Sequence, residues 1–416
     1  MLSCIIYSRS YKSELSTITF NLNELNEFMA IHNVLIKNKE GILMMTQQHF
    51  RPTKAIIDLQ AIQQNVQNLK KLLRPNVQII AVVKANAYGH GDVAVAKAAL
   101  EAGATILAVA TPDEALHIRA HFEEPDILVL GASPVSFVPF AAQKRIILTV
   151  FASEWVQQAA PLIAHEADPL RLHIKVDSGM GRIGVRSEQE LLELSNIIQT
   201  ANNMKLDGIF THFATADEED TSYFDRQAHF FEQCLSALPE KPRLVHASNT
   251  ATSLVKGAHF QYDAVRYGIS MYGLSPSSYV EGILPFQLQP AFTLESELVH
   301  VKQLQAGDSI GYGATYAAPS DLWIGTIPIG YADGVIRKLG GQEVLIDGQR
   351  MPIVGRICMD QCMVALPKAY AIGEKVTLIG RQGKDVISID EWAVKLETIN
   401  YEVPCIITAR VPRVYV

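Results

Sequence analysis

From residue 55 to about 273, short apolar runs alternate with polar stretches of helical period. The runs cover 79–83, 104–110, 127–132, 146–150, 170–176, 206–213, 243–248 and 262–268. The intervening segments include PDEALHIRA at 112–120 and SEQELLELSNIIQ at 187–199, the latter opened by Ser187 as an N-cap. Regular strand–helix alternation predicts a parallel sheet. Eight repeats in this length predict a (β/α)8, TIM-like barrel of the α/β class rather than an open sheet. The pattern changes near Leu284. After Pro290 it becomes apolar/polar alternation broken by Gly-rich turns, with Asp347-Gly348 as a hairpin signal. Residues 45–287 are thus expected to form the barrel and 288–416 a mostly β C-terminal domain. Residues 1–44, polar and matching no pattern elsewhere, are expected to be a dispensable N-terminal extension, with Met45 as the natural domain start.

Against this pattern the polar exceptions stand out. Lys84, Lys175, His212, His246 and Arg266 all fall at or near the C-terminal end of an apolar run. A barrel builds its active site on that rim, from several strands. One such histidine is usually a bonded core residue, but several ionisable groups on one rim are hard to explain by packing. Lys84 ends the run IIAVV and opens a small, flexible loop with Tyr88 four residues on. Burying a lysine is costly, and a desolvated amine is a nucleophile able to form a Schiff base. Pyridoxal phosphate is the commonest aldehyde held this way, whereas the plain alternative is a lysine snorkelling out of a strand end.

Composition narrows the class further. The 416 residues are 48% apolar and 19% charged, enough for two domains with sizeable cores. A formal net charge of −7 invites neither nucleic acid nor an anionic membrane. Five scattered cysteines with no CxxC pair fit reduced thiols, so a cytoplasmic protein is expected, and no metal site is expected. No uninterrupted apolar run approaches membrane-spanning length.

Eight motifs occur in order: AVVKANAYGHG (81–91), KVDSGMGRIG (175–184), THFATAD (211–217), RYGISMYG (266–273), GYGATY (311–316), IGYADG (329–334), GRICMDQ (355–361) and TINYEVP (398–404). As a set they resemble alanine racemase, over essentially everything from residue 50 onward. The resemblance implies an isomerase that interconverts L- and D-alanine through a pyridoxal 5'-phosphate aldimine on Lys84, supplying D-alanine for peptidoglycan. It implies two catalytic bases, Lys84 for the D-enantiomer and Tyr312 for the L-enantiomer. The physical need is plain: a planar carbanion loses hydrogen from one face and regains it on the other. A phenol is a weak base at neutral pH, so Tyr312 requires help from neighbours.

The resemblance also implies roles for other residues. Arg182 and the backbone N–H of Met359 meet the substrate carboxylate, and Tyr331 gates the entrance. Arg266, oriented by His246, faces the cofactor's ring nitrogen, where most such enzymes place a carboxylate. An arginine leaves that nitrogen unprotonated and weakens the electron sink, which disfavours transamination. His212 lies against the ring, and Tyr88, Thr250, Gly268, Ile269 and Tyr401 hold the phosphate. Lys175 is a carbamylated position, and the carbamate anion would steady Arg182 where two bare cations would repel. Tyr312, Tyr331, Met359 and Asp360 reach the neighbouring subunit's site in a head-to-tail homodimer. The alternatives are a serine or broad-specificity racemase on the same scaffold, a basic-amino-acid decarboxylase, and a non-catalytic pyridoxal-phosphate carrier. Arg266 speaks against the decarboxylase, and the β domain bearing Tyr312 and Met359 against the carrier.

Overall fold

The structure, a computed structural model, describes residues 49–163 and 168–416 together with four strands within the first 48 residues. Those strands, Leu2–Ile6, Thr17–Phe20, Ile36–Asn38 and Gly41–Leu43, form an antiparallel sheet within a unit spanning Met1–Pro52. The remainder of the expected extension lies outside the described residues. Thr53–Val416 form the second compact unit.

All eight apolar runs become parallel strands of one sheet: β1 Gln78–Val82, β2 Ile106–Val109, β3 Asp126–Val129, β4 Ile146–Val150, β5 Leu170–Lys175, β6 Met204–Phe210, β7 Leu244–His246 and β8 Ala264–Tyr267. Each pairs with its sequence neighbour from β1 to β7, and β8 pairs back onto β1. Between β7 and β8 there is no ladder. The seam is bridged by Asp263 N–H donating to Val245 O (3.0 Å) and Arg266 N–H to Ser248 O (3.0 Å). The result is a nearly closed barrel. Its strands read as continuous apolar runs because both faces are covered, as parallel sheets require. Ile80, Leu107, Leu128, Leu148 and Ile174 are fully buried, each worth roughly 1.5–3 kcal/mol on transfer from water.

The predicted caps are present. Ser187 Oγ accepts from Glu190 N–H (3.1 Å) at the start of helix Glu188–Thr200. Thr111 and Glu114 close a capping box on helix Pro112–Arg119.

The C-terminal part is a twisted sheet dominated by antiparallel pairs. Asp347 and Gly348, with φ of 53° and 69°, make the two-residue turn between Glu343–Ile346 and Gln349–Val354. One strand comes from the far end of the sequence. Lys54–Ile57 lies between Phe292–Glu297 and Arg413–Tyr415, so the stretch ahead of the barrel hydrogen-bonds in the β sheet. A simple alternating pattern at 53–57 carries no mark of which sheet it joins. No helix among the described residues is long and apolar enough to cross a membrane, and none of their His, Cys, Asp and Glu groups is arranged to hold a metal.

Candidate active site

The C-terminal rim of the barrel opens into a cavity of about 690 Å³. Lys84, Tyr88, Lys175, Arg182, His212, Thr250, Arg266, Gly268, Ile269 and Tyr401 all line it. Nine come from the ends of β1, β5, β6, β7 and β8 or the segments after them, as a barrel site should, and Tyr401 comes from the C-terminal part.

Lys84 follows β1 and begins an unusual turn. Ala85, Asn86, Ala87 and Tyr88 all have φ near +52°, so four non-glycine residues run left-handed in succession. Such a conformation costs about 1–2 kcal/mol per residue. Glu114 offsets part of this cost. One carboxylate oxygen accepts from Ala85 N–H (2.6 Å), and the other from Ala110 N–H (2.7 Å) and Thr111 N–H (3.1 Å). Buried His90 accepts no share of the charge: desolvation holds it down to about 4, and its Nδ1–H donates to Ala87 O and Tyr88 O. The turn thus delivers Lys84 and Tyr88 to the cavity on a pinned backbone.

Electrostatics at the rim favour neutral amines. Burial, then the charge of Arg182, lowers the pKa of Lys84. Burial, then Arg266 and Arg182, pushes Lys175 down to about 7. His212 is held well below its usual value, by desolvation first and Arg266 next. These shifts have the signs expected of cations crowded into a poorly solvated site.

Arg266 is buried and held from every side. It donates to Thr211 O (2.7 Å), Ala247 O (2.8 Å), His246 O (3.1 Å), His246 Nδ1 (2.8 Å) and His212 Nδ1 (3.3 Å). Burial lowers its pKa to about 9, which still leaves a cation at neutral pH. His246 does not line the cavity; it sits behind Arg266 and orients it. Phe210 was not singled out by the sequence. Its ring lies 5.4 Å from the Arg266 guanidinium and 4.7 Å from Lys175 Nζ, and stacks on His246 at 4.7 Å. It offers both cations an aromatic face.

A small open space lies beside the β8 end. Thr250 Oγ1 accepts from Gly268 N–H (3.0 Å). A Cβ at residue 268 would stand 2.9 Å from Tyr88 Oη and 3.7 Å from Thr250 Oγ1, so only glycine leaves this space open. Tyr88 and Tyr401 pack with ring centroids 6.2 Å apart, and burial pushes both phenols up, keeping them as neutral donors.

Three predicted site residues are elsewhere. Tyr312 and Met359 line a separate shallow depression with Cys358 and Asp360, and are 69% and 53% exposed. Tyr331 is 39% exposed and lines neither cavity. Within one chain the two expected bases, Lys84 and Tyr312, do not meet. Glu114, Asp207 and His173 were also missed by the sequence reading. Only Glu114 carried a usable signal, the Thr-x-x-Glu spacing of a capping box.

Two family models match the chain: "Alanine racemase, N-terminal domain" over residues 57–276 and "Alanine racemase, C-terminal domain" over 291–415. The alanine racemase of Geobacillus stearothermophilus is 54% identical over 365 residues, covering 88% of this chain and 94% of that protein. Among solved structures, alanine racemase from Bacillus anthracis with bound L-Ala-P has a TM-score of 0.86 at 48% identity, covering 89% of this chain and 96% of that one. The histidine racemase of Leuconostoc mesenteroides reaches a TM-score of 0.83 at 32% identity, covering 89% and 99%.

Proposed function

The chain belongs to the alanine racemase family, and on that premise we propose how its residues interconvert L- and D-alanine with pyridoxal 5'-phosphate. The residues present fit the cofactor. Lys84 has the depressed amine a Schiff-base lysine needs, and the space kept open by Gly268 beside two neutral phenols and Thr250 suits a phosphate. Lys84 would carry the cofactor, Tyr88, Thr250, Gly268, Ile269 and Tyr401 its phosphate, and Arg266 and His212 its ring. When bound, the cofactor supplies the electron sink that acidifies the α-proton of alanine.

The chain's own groups do the rest. Lys84 Nζ, its pKa lowered by burial and then by Arg182, takes and returns the α-proton on one face. Tyr312 Oη serves the opposite face. Arg182, with its planar fork, and the Met359 N–H receive the substrate carboxylate. Arg266, tied to five acceptors, offers the ring nitrogen donors and no proton acceptor. Lys175, down to about 7, is available as a free amine to take up CO2 as a carbamate, losing a proton in the process.

The exposure of Tyr312 and Met359 supports a head-to-tail homodimer in which each chain completes its partner's site, with Tyr331 narrowing the entrance. The proposed role is cytoplasmic supply of D-alanine for peptidoglycan. The single observation that carries the reading is the convergence of Lys84, Arg266 and the space at Gly268 on one cavity. The test is racemisation in deuterated water. Lys84→Ala is expected to abolish it, and Tyr312→Phe to slow α-hydrogen exchange from L-alanine far more than from D-alanine. Equal slowing of both enantiomers by Tyr312→Phe would remove Tyr312 as the second base. The histidine racemase neighbour makes substrate width a fair second question. Rates on serine and histidine comparable to alanine would replace a strict alanine enzyme with a broad one.

A further inference from the structure

A line of buried polar groups runs from the active-site rim through the barrel interior. Arg266 Nη1 lies 2.8 Å from His246 Nδ1. His246 Nε2 lies 3.0 Å from His173 Nδ1. His173 Nε2 makes a longer contact, 3.5 Å, with Asp207 Oδ2. Asp207 is clamped at the far end by Arg243, at 2.9 Å and 2.7 Å. The links alternate among strands β8, β7, β5 and β6.

The proton positions along this line follow from donor chemistry alone. Arginine has no acceptor, so His246 Nδ1 must carry a lone pair. A neutral His246 then has its proton on Nε2 and donates it to His173 Nδ1. His173 in turn has its proton on Nε2, directed at the Asp207 carboxylate. Burial keeps both rings neutral: His246 is held well below its usual pKa and His173 is lowered, each by desolvation first. Every donor therefore points the same way, from a cation at the site to an anion at the other end.

The barrel is adapted to hold this line. The β5–β6 register shifts between Leu172 and His173. A Cβ at Gly208, on the adjoining strand, would lie 2.6 Å from His173 Nε2, so the ring occupies room that only glycine leaves. Apolar side chains of similar volume usually fill such an interior with no loss of stability, so packing does not account for the line.

We propose that His173 and Asp207 are positioning residues for Arg266: they lock His246 in its Nε2–H form and so hold the Arg266 guanidinium as a fixed donor toward the cofactor ring nitrogen. The proposal rests on the reading that Arg266 faces that nitrogen. The geometry of Arg266 is then set from the far end of the barrel as well as by its immediate carbonyl partners.

The test has two parts. The first uses ¹⁵N-labelled imidazoles in the intact protein freed of cofactor. Both His173 and His246 are expected to carry hydrogen on Nε2 and none on Nδ1; hydrogen on Nδ1 of either ring overturns the proposal. The second compares His173→Leu with His173→Gln in protein loaded with pyridoxal phosphate. Glutamine can accept from His246 and donate to Asp207; leucine can do neither. His173→Leu is expected to shift the bound cofactor's visible band and lower kcat roughly tenfold with little change in KM, a scale typical of lost outer-shell support. His173→Gln is expected to restore both. Equal loss in the two variants with an unmoved band, or no loss in a folded His173→Leu, overturns the proposal. Should His173→Leu not fold, Asp207→Asn carries the test: it is expected to shift the bound cofactor's band and lower kcat in the same direction, and an unmoved band with unchanged kcat refutes the role of Asp207. Arg266→Lys serves as the control on the premise. If it leaves the band unmoved, the placement of Arg266 at the cofactor has failed, independently of the tautomer result.

Discussion

Single side chains here act through what they hold in place. Glu114 satisfies three backbone N–H groups, one of them on the turn after Lys84. Glu114→Gln keeps the shape but removes the charge and one acceptor oxygen, and is expected to cost about 1–3 kcal/mol, the range for losing charge-assisted bonds at a cap. Urea unfolding checks this, and a variant as stable as the parent would show that the turn needs no such anchor. Gly268→Ala places a methyl against the Tyr88 hydroxyl, in the expected phosphate space. Pyridoxal phosphate should bind at least roughly tenfold more weakly, the penalty for a misfit of about one methyl with lost hydrogen bonds, while thermal stability of the unloaded protein changes little. Equilibrium dialysis decides it. Lys175 gives a pH signature. Its folded pKa is about 7 against 10.5 unperturbed, so between these values the folded chain binds fewer protons than the unfolded one. The penalty therefore grows as pH falls from 10.5 to 7 and is fully present below 7. Lys175→Met should gain stability relative to wild type over that window in CO2-free buffer, and a pH-independent difference would contradict the shift.

At the scale of elements, the barrel was legible because its strands are buried on both faces, and uninterrupted apolar runs such as 79–83 and 146–150 announce that directly. Rim residues were legible for a related reason: Lys175 and His246 are the last residues of β5 and β7, where an apolar run has no cause to end in a charge or an imidazole. Other features left no trace. The left-handed run at Ala85–Tyr88 uses residues with no preference for that conformation; it is held by Glu114 on Ala85, by Arg413 on Gly89 just beyond it, and locally by His90 bonding back to Ala87 O and Tyr88 O. His173 and Asp207 look like ordinary polar positions in a strand, because their partners are 73 and 36 positions away in sequence. Strand Lys54–Ile57 was grouped with the barrel it precedes, since pairing partners at 292–297 and 413–415 cannot be read locally. The resemblance, by contrast, carried the rim residues as a set, and the cavity gathers ten of them.

For the whole molecule the separation of Lys84 from Tyr312 has a direct test. If each site takes Lys84 from one chain and Tyr312 from its partner, inactive Lys84→Ala and Tyr312→Phe chains should complement. In a mixed dimer one site carries both substitutions and the other neither. Random re-association of equal amounts should recover about a quarter of wild-type activity, since half the dimers are mixed and each has one sound site. No recovery would place both bases in the same chain. The sheet's strand order bears on how the chain is made. Lys54–Ile57 waits for Arg413–Tyr415 on one side, with Val416 N–H also donating to Ile57 O at 3.0 Å. During translation the barrel emerges whole long before that partner does. A nascent chain therefore travels through most of its synthesis with an unpaired strand edge, which is a hazard for association between chains. Ribosome stalling late in the message, rather than early, would then be the costlier error, leaving a finished barrel attached to an open sheet.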